Sequence, residues 1–283
     1  MIRLKRLHVL LIILVMLTTF FLPGCLERPG DDTRMMIKGS DTVLPLTQFA
    51  AEEFMLKNPD LTVSVAGGGS GVGIAALIDG EIQVAMSSRE MRESEVEEAK
   101  NKGVNPVEHI VALDGIVVIV NPENEVSHLT LEELRGIYNG SISNWKDVGG
   151  EDRRISSITR DSSSGTYQYF RNEVLKNDNF RSDALSMSAT GGVVQEVSQN
   201  RGSIGYIGFA YATDRVKTLA LDTGNGPVAP TPATIEDREY PLARPLYYYS
   251  RDDVSGVTVQ FIDFLLSDEG QDLVSEIGYF RVE

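Results

Sequence analysis

Residues 35–54 read MMIKGSDTVLPLTQFAAEEF, and this stretch sets the architecture of the chain. The apolar segment 35–38 predicts a strand, and the apolar positions of 45–56 recur at the spacing of one helix face. The turn between them, Gly39-Ser40-Asp41-Thr42, is small and polar. Strand, polar turn and helix in this order form the repeating unit of α/β folds.

The same alternation continues toward the C-terminus and predicts an α/β fold with mainly parallel strands. Two helix starts carry a capping box, formed by Ser94 with Glu97 and by Thr130 with Glu133. The Gly- and Pro-rich segment 223–232 predicts an irregular connection. We expect strands at 61–66, 81–86, 107–120, 155–159 and 241–249, an apolar stretch at 204–211, and helices at 74–78, 94–102, 130–139, 167–175, 192–200 and, last, 257–266.

The N-terminus has the pattern of an export signal, because three basic residues precede an apolar run at 9–22. That run is shorter than the roughly 20 residues of a membrane span. Cys25, the single Cys of the chain, follows it in a sequence that resembles the lipobox of prokaryotic lipoproteins, although Pro23 departs from that pattern. An uncleaved N-terminal anchor is the alternative.

We therefore expect a signal peptide at 1–24, then lipidated Cys25 at the start of a polar tether, 25–34, and a fold that begins near Met35. The folded part would lie outside the cytoplasm, anchored on the outer face of the membrane, at the cell surface or in the periplasm.

The 283-residue chain is acidic, with a formal net charge of −15. Loss of residues 1–24 would leave 23 basic against 41 acidic residues, a net charge of −18. Such a surface repels polyanions, which argues against nucleic acid as a partner. One Cys excludes an internal disulfide and a multi-Cys metal cluster, and three His leave little for zinc or a His relay. We expect no metal and no cofactor.

Four turns between expected strands and helices share one composition, rich in Gly, Ser and Thr. A helix that follows such a turn presents unpaired backbone N–H groups at the positive end of its dipole. Glycine allows close backbone approach and hydroxyls add donors, so each turn is suited to an anion. Four together predict convergence on one small oxyanion. They are Gly39-Ser40-Asp41-Thr42, Gly67-Gly68-Gly69-Ser70-Gly71-Val72-Gly73, Ser87-Ser88-Arg89, and Arg160-Asp161-Ser162-Ser163-Ser164-Gly165-Thr166.

Other functions fit these turns less well. The second lacks the Gly-Lys-Ser/Thr end of a nucleotide P-loop and matches the dinucleotide fingerprint only loosely. Neither Ser70 nor Ser164 lies in the G-x-S-x-G elbow of a serine hydrolase. The candidate bases, His109 and His128, read as structural or solvated residues, and Trp145 as a packed aromatic.

Motifs along 37–278 resemble the phosphate-binding proteins of high-affinity phosphate ABC importers, the PstS type of the type II periplasmic-binding-protein family. Besides the first, second and fourth turns above, they are Ala85-Met86-Ser87-Ser88-Arg89, Leu129-Thr130-Leu131-Glu132-Glu133-Leu134-Arg135, Ser143-Asn144-Trp145-Lys146-Asp147-Val148-Gly149-Gly150, Gly205-Tyr206-Ile207-Gly208, Tyr240-Pro241-Leu242-Ala243-Arg244-Pro245-Leu246 and Phe264-Leu265-Leu266-Ser267-Asp268-Glu269-Gly270.

This resemblance implies two α/β lobes with mixed sheets, 35–116 plus 239–283 and 117–238, joined by a two-strand hinge. The ligand would lie in the cleft between the lobes. It further implies a monomeric, non-enzymatic binding protein that captures inorganic phosphate and delivers it to membrane permease subunits. Its binding residues would be Ser40, Thr42, Val43, Ser70, Gly71, Ser87, Ser88, Arg89, Arg160, Ser164, Gly165 and Thr166.

Two positions depart from the family pattern. Many members have Asp where this chain has Ser88, and that carboxylate accepts the proton of hydrogen phosphate. The acidic residue that orients the arginine usually follows it by two positions, where this chain has Ser162, so Asp41 or Asp161 is the candidate substitute. The alternatives are therefore the same fold holding sulfate or molybdate and, in another class, an exported serine esterase or phosphatase.

Overall fold

The first strand and helix have the order expected from residues 35–54, as β1 (Arg34–Gly39) and α1 (Leu44–Lys57). The computed structural model describes residues 32–282. The expected signal peptide, Cys25 and most of the tether lie outside the described residues. Strand β1 begins at Arg34, one residue before the expected start of the fold.

The remaining elements follow in chain order. They are β2 (Thr62–Ala66), α2 (Ser70–Ile78), β3 (Val84–Ser87), α3 (Glu93–Asn101), β4 (Pro106–Val120), β5 (His128–Thr130), α4 (Leu131–Asn139), β6 (Ser156–Arg160), α5 (Gly165–Glu173), β7 (Leu185–Met187), α6 (Thr190–Gln199), β8 (Ser203–Gly208), β9 (Lys217–Thr218), β10 (Ala220–Asp222), β11 (Pro227–Val228), α7 (Pro232–Glu236), β12 (Ala243–Arg251), α8 (Val257–Leu266) and α9 (Asp268–Glu276), with 3-10 turns at Trp145–Val148 and Phe209–Tyr211.

The strands form a mixed, continuous sheet in the order β2-β1-β3-β12-β4-β8-β6-β7, with β9 also paired to β4. A second, small sheet has the order β11-β10-β5. The expectation of mainly parallel strands is wrong, because β12 runs antiparallel to β3 and β4, and β4 runs antiparallel to β8 and β9. The mixed sheet of the resemblance is confirmed.

Two long strands connect two lobes, each with its own hydrophobic core. Val111 and Ala112 of β4 pack into the core that contains Phe54 and Phe261. The residues of the same strand from Ile116 onward belong to the other core, which contains several packed aromatic rings. There Phe170 and Tyr206 stack with ring centroids 3.9 Å apart. Since β12 pairs with β4 along nine residues, the two strands act as one connecting ribbon.

Local signals predicted some helix ends and missed others. The capping box of Thr130 and Glu133 is confirmed, with the Glu133 N–H donating to the Thr130 hydroxyl at 3.1 Å. That of Ser94 and Glu97 is wrong, because α3 begins at Glu93 and the Arg92 N–H donates to Glu95 instead. Helix 257–266 is not the last, since α9 follows directly after Ser267.

Trp145 is packed, as expected. It is fully buried, and its indole N–H donates to the Gly202 carbonyl at 3.0 Å. Segment 223–232 is not wholly irregular, because β11 lies within it. Among residues 32–282, no helix is both long enough and apolar enough to cross a membrane.

Replacement of Phe261 by Ala tests the first core. Phe261 is fully buried and packs edge-to-face on Phe54 with centroids 5.4 Å apart. We expect Phe261→Ala to lower the free energy of unfolding by about 3–5 kcal/mol, the usual cost of such a cavity, measured by urea denaturation. Leu56→Ala, at a side chain 76% exposed, is the control and should change it by less than about 0.5 kcal/mol. Equal losses would contradict this packing.

Candidate anion-binding site

Three of the four polar turns end in helices whose N-termini meet a cluster of buried hydroxyls. Thr42 precedes α1, Ser70 opens α2, and Ser164 and Thr166 flank the start of α5. These side chains are all at least 98% buried, as are Ser40, Ser87 and Ser88 beside them. Helix geometry leaves the first-turn N–H groups without intrahelical partners, so donors and positive dipole ends collect in one place.

The hydroxyls are in direct contact both within one lobe and between the lobes. Thr42 Oγ1 lies 2.9 Å from Thr166 Oγ1. Ser70 Oγ accepts from the Ser88 N–H at 3.1 Å and lies 3.4 Å from Ser88 Oγ. A Cβ at Gly165 would lie 2.2 Å from Ser70 Oγ, which explains why this position has no side chain. The structure thus brings together members of all four expected turns, the third of them through Ser88.

Two expected donors already have protein partners. The Val43 N–H donates to the Ser40 carbonyl at 3.1 Å, within the first turn. The Gly71 N–H donates to the Ser163 carbonyl at 2.9 Å and so ties the second turn to the fourth. In this arrangement neither amide is presented to a ligand. Ser40 and Ser87 are buried beside the cluster, and the Ser87 hydroxyl donates to the Arg89 carbonyl at 2.6 Å.

Arg160 ends β6 and is 2% exposed. Its Nη2 donates to Asp41 Oδ2 at 2.8 Å, and its Nη1 donates to Thr190 Oγ1 at 2.8 Å. Asp41 Oδ1 also accepts from the Gly68 N–H at 3.1 Å. Asp161 instead accepts from the Ser163 N–H at 2.8 Å. Of the two candidate partners, Asp41 therefore orients the arginine, and it does so from the opposite lobe.

Arg89 does not join the hydroxyl cluster. Its guanidinium makes a two-pronged ion pair with Glu95, with both N–O distances 2.8 Å, and also donates to the Glu90 carbonyl. It lines a cavity of about 520 Å³ that Tyr169 of α5 and Arg244 of β12 also line. Arg89, expected as a second cation of the anion site, instead has its charge neutralised by Glu95 in the first turn of α3.

A buried ion pair that the sequence analysis missed lies on the connecting strands. Asp114 of β4 accepts from Arg244 of β12 at 3.0 and 3.2 Å, and each side chain is 1% exposed. Arg244 Nη1 also donates to the Ser88 carbonyl at 2.8 Å, and Nη2 to Thr166 Oγ1 at 3.0 Å. Burial raises the pKa of Asp114, and Arg244 opposes that rise. One signal was available, an Asp inside the apolar run 110–120.

Two tyrosines, also missed, hold the first turn from behind. The Tyr211 hydroxyl donates to the Asp41 carbonyl at 2.7 Å, and burial raises the pKa of Tyr211 to about 12. The Tyr279 hydroxyl donates to the Thr42 carbonyl at 2.5 Å. Both stay neutral donors at physiological pH and fix the backbone of residues 41 and 42.

Serine hydrolysis finds little support among the described residues. His109 Nε2 lies 3.0 Å from Ser250 Oγ, and His128 Nδ1 lies 3.3 Å from Ser127 Oγ. Neither histidine partners Ser70 or Ser164, whose hydroxyls accept from the backbone N–H groups of Ser88 and Tyr167. Within residues 32–282, no group of three or more His, Cys, Asp or Glu is arranged to hold a metal ion.

The ion pair of Arg89 with Glu95 should make the free energy of unfolding depend on pH in the acid range. Burial alone would raise the pKa of Glu95, but hydrogen bonds from Arg89 and Arg92 outweigh it and lower the pKa from 4.5 to about 2. The stabilisation is therefore present above about pH 4.5 and lost as the pH falls toward about 2. We expect Glu95→Gln to flatten this part of the pH profile of the free energy of unfolding. Glu97→Gln, on an exposed face of α3, should leave the slope unchanged; a slope unchanged in both would contradict the pairing.

Comparison with known proteins places the chain. A model of the PBP superfamily domain matches residues 27–269. The phosphate-binding protein PstS of Borreliella burgdorferi is 33% identical over 282 residues, which cover 96% of this chain and 98% of that protein. The PstS of Staphylococcus aureus (strain USA300) is 33% identical over 251 residues, covering 85% of this chain and 76% of that protein.

A solved structure agrees with these relatives. A phosphate ABC transporter substrate-binding protein from Clostridium perfringens, with bound phosphate, superposes with a TM-score of 0.81 at 32% identity. The match covers 88% of this chain and all of that one. The chain therefore belongs to the PBP superfamily and, within it, to the family of PstS phosphate-binding proteins.

Proposed function

We propose that this protein captures inorganic phosphate outside the cytoplasm and delivers it to the permease subunits of an ABC importer. The observation that carries the proposal is the set of buried hydroxyls that meets the N-termini of α1, α2 and α5 beside Arg160. Relatives named for phosphate binding and the phosphate-bound Clostridium perfringens structure support it. The chain itself would catalyse no reaction.

The proposed ligand suits the donors. Phosphate is a small tetrahedral oxyanion whose oxygens each accept hydrogen bonds, and charge-assisted bonds of this kind are the strong ones. We assign its binding to Thr42, Ser70, Ser88, Arg160, Ser164, Gly165 and Thr166. The net charge of the chain does not oppose this, because salt screens charges beyond about 8 Å and leaves the local donors in control.

Closure of the two lobes would complete the site. We place the lobes at 35–116 plus 239–283 and at 117–238, with β4 and β12 as the hinge. The pair of Asp41 with Arg160 and the bond from the Gly71 N–H to the Ser163 carbonyl both cross between the lobes. Phosphate that touches both sides would favour the closed state through differential binding. We propose that this closed monomer docks on the permease, with lipidated Cys25 as its membrane anchor.

A second tetrahedral oxyanion, sulfate, is the alternative that Ser88 favours. The side chain of Ser88 is a hydroxyl where many relatives have a carboxylate, and the carboxylates of Asp41 and Asp114 are engaged with arginines. A hydroxyl, however, can accept a hydrogen bond as well as donate one. Ser88 or Thr42 can therefore accept a hydrogen bond from the protonated oxygen of hydrogen phosphate, a donor that sulfate lacks.

Calorimetry with residues 26–283 tests the proposal directly. We expect phosphate to bind at least about tenfold more tightly than sulfate, because only hydrogen phosphate can donate to a hydroxyl whose own proton is already used within the cluster. Molybdate and arsenate complete the series. Sulfate binding as tight as phosphate binding would contradict phosphate selectivity while leaving the oxyanion site intact.

Replacement of Arg160 tests the location of the site. We expect Arg160→Ala to weaken phosphate binding by at least about 100-fold, since it removes the cation and leaves Asp41 unpaired across the cleft. Arg154→Ala, at a side chain 79% exposed on the same lobe, is the matched control and should bind as the parent does. Undiminished binding in Arg160→Ala, with an unchanged melting temperature, would mean that the site is elsewhere.

A further inference from the structure

We propose that Arg244 is a positioning residue for the ligand, acting through the hydroxyl of Thr166. The inference rests on the proposed function and deepens it. Arg244 belongs to β12, pairs in register with Asp114 of β4, and reaches the loops of both lobes from this ribbon. Its side chain alone donates hydrogen bonds to Asp114, to the Ser88 carbonyl and to Thr166 in the described residues.

The guanidinium of Arg244 directs most of its donors to groups of the protein. An arginine has five N–H donors and no acceptor. Nε and Nη2 donate to Asp114 Oδ2, Nη1 donates to the Ser88 carbonyl, and Nη2 also donates to Thr166 Oγ1. Four of the five donors are thereby used within the protein. The Tyr169 ring, whose centroid is 5.5 Å from the guanidinium carbon, packs against the same side chain.

The bond to Thr166 has a direction, because Arg244 can only donate. Thr166 Oγ1 is therefore an acceptor toward Arg244, and its own proton points away from the guanidinium, toward Thr42 Oγ1 at 2.9 Å and the helix N-termini. A hydroxyl that accepts from a cation becomes a stronger donor, since hydrogen bonds in a chain polarise one another. Arg244 thus turns Thr166 into a fixed donor in the anion site.

Asp114 holds the Arg244 guanidinium in the position from which it donates to Thr166. An isolated buried guanidinium would be costly, and a carboxylate with two bonds to it offsets that cost while fixing the plane of the fork. Asp114 Oδ1 is itself held by the Phe209 N–H at 3.0 Å. The pair lies on the strands between the lobes, whereas its donors point to Ser88 on one side and Thr166 on the other. The strands β4 and β12, which carry this ion pair, therefore fix the orientation of the Thr166 hydroxyl.

A mutant cycle with Arg244→Lys and Thr166→Val tests the proposal. Lysine keeps the charge and the ion pair but has no fork to reach Asp114 and Thr166 together. We expect Arg244→Lys to weaken phosphate binding by about 10- to 100-fold, the value of a hydrogen bond to a charged group, as measured by calorimetry. In the Thr166→Val background the same change should cost less than about threefold, because the hydroxyl through which it acts is gone.

Equal losses in both backgrounds would overturn the proposal, since Arg244 would then act on the fold or through its field. Thr166→Ser, which restores the hydroxyl, should return both the affinity and its dependence on Arg244; failure to do so also contradicts it. If Arg244→Lys does not fold, Asp114→Asn with Arg244→Met removes both charges and takes its place in the cycle. Absence of phosphate binding by the parent protein would instead refute the proposed function.

Discussion

The ion pair of Asp114 and Arg244 connects the frame of this protein to its site. Both residues lie on the two strands shared by the lobes, and both are almost fully excluded from solvent. Breaking such a pair by removing one partner typically costs about 3–5 kcal/mol. The ion pair therefore keeps the Arg244 guanidinium in the position where it contacts Ser88 of one lobe and Thr166 of the other. The hinge and the anion site are consequently not separate parts of the molecule.

Charge is balanced locally throughout this region. Arg160 faces Asp41, Arg244 faces Asp114, and Arg89 faces Glu95. None of these cations is left as an isolated positive charge, so attraction of an anion depends mainly on neutral donors and helix dipoles. This explains how an acidic chain, with a formal net charge of −15, can contain a site built for a small anion.

Contacts between the lobes use the same residues as the site. Asp41 holds both the Gly68 N–H and Arg160, and the Ser163 carbonyl accepts from the Gly71 N–H. The glycines of the second turn make this approach possible: a Cβ at Gly69 would lie 2.5 Å from Ser163 Oγ. Contacts between the lobes and the proposed contacts with phosphate therefore draw on one set of turns, which is the arrangement that a closing cleft requires.

The sequence by itself determined the elements and the chemistry of the turns, because apolar spacing and the composition of a helix start are local properties. It placed the strand and helix around residues 35–54, the buried Trp145 and the hydroxyls that meet at the site. Only the tertiary structure decided the partners. Arg89 turned to Glu95, Asp41 reached Arg160 across 119 positions, and Asp114 met Arg244 across 130. Such pairings follow from which strands become neighbours, and neither spacing nor composition encodes that.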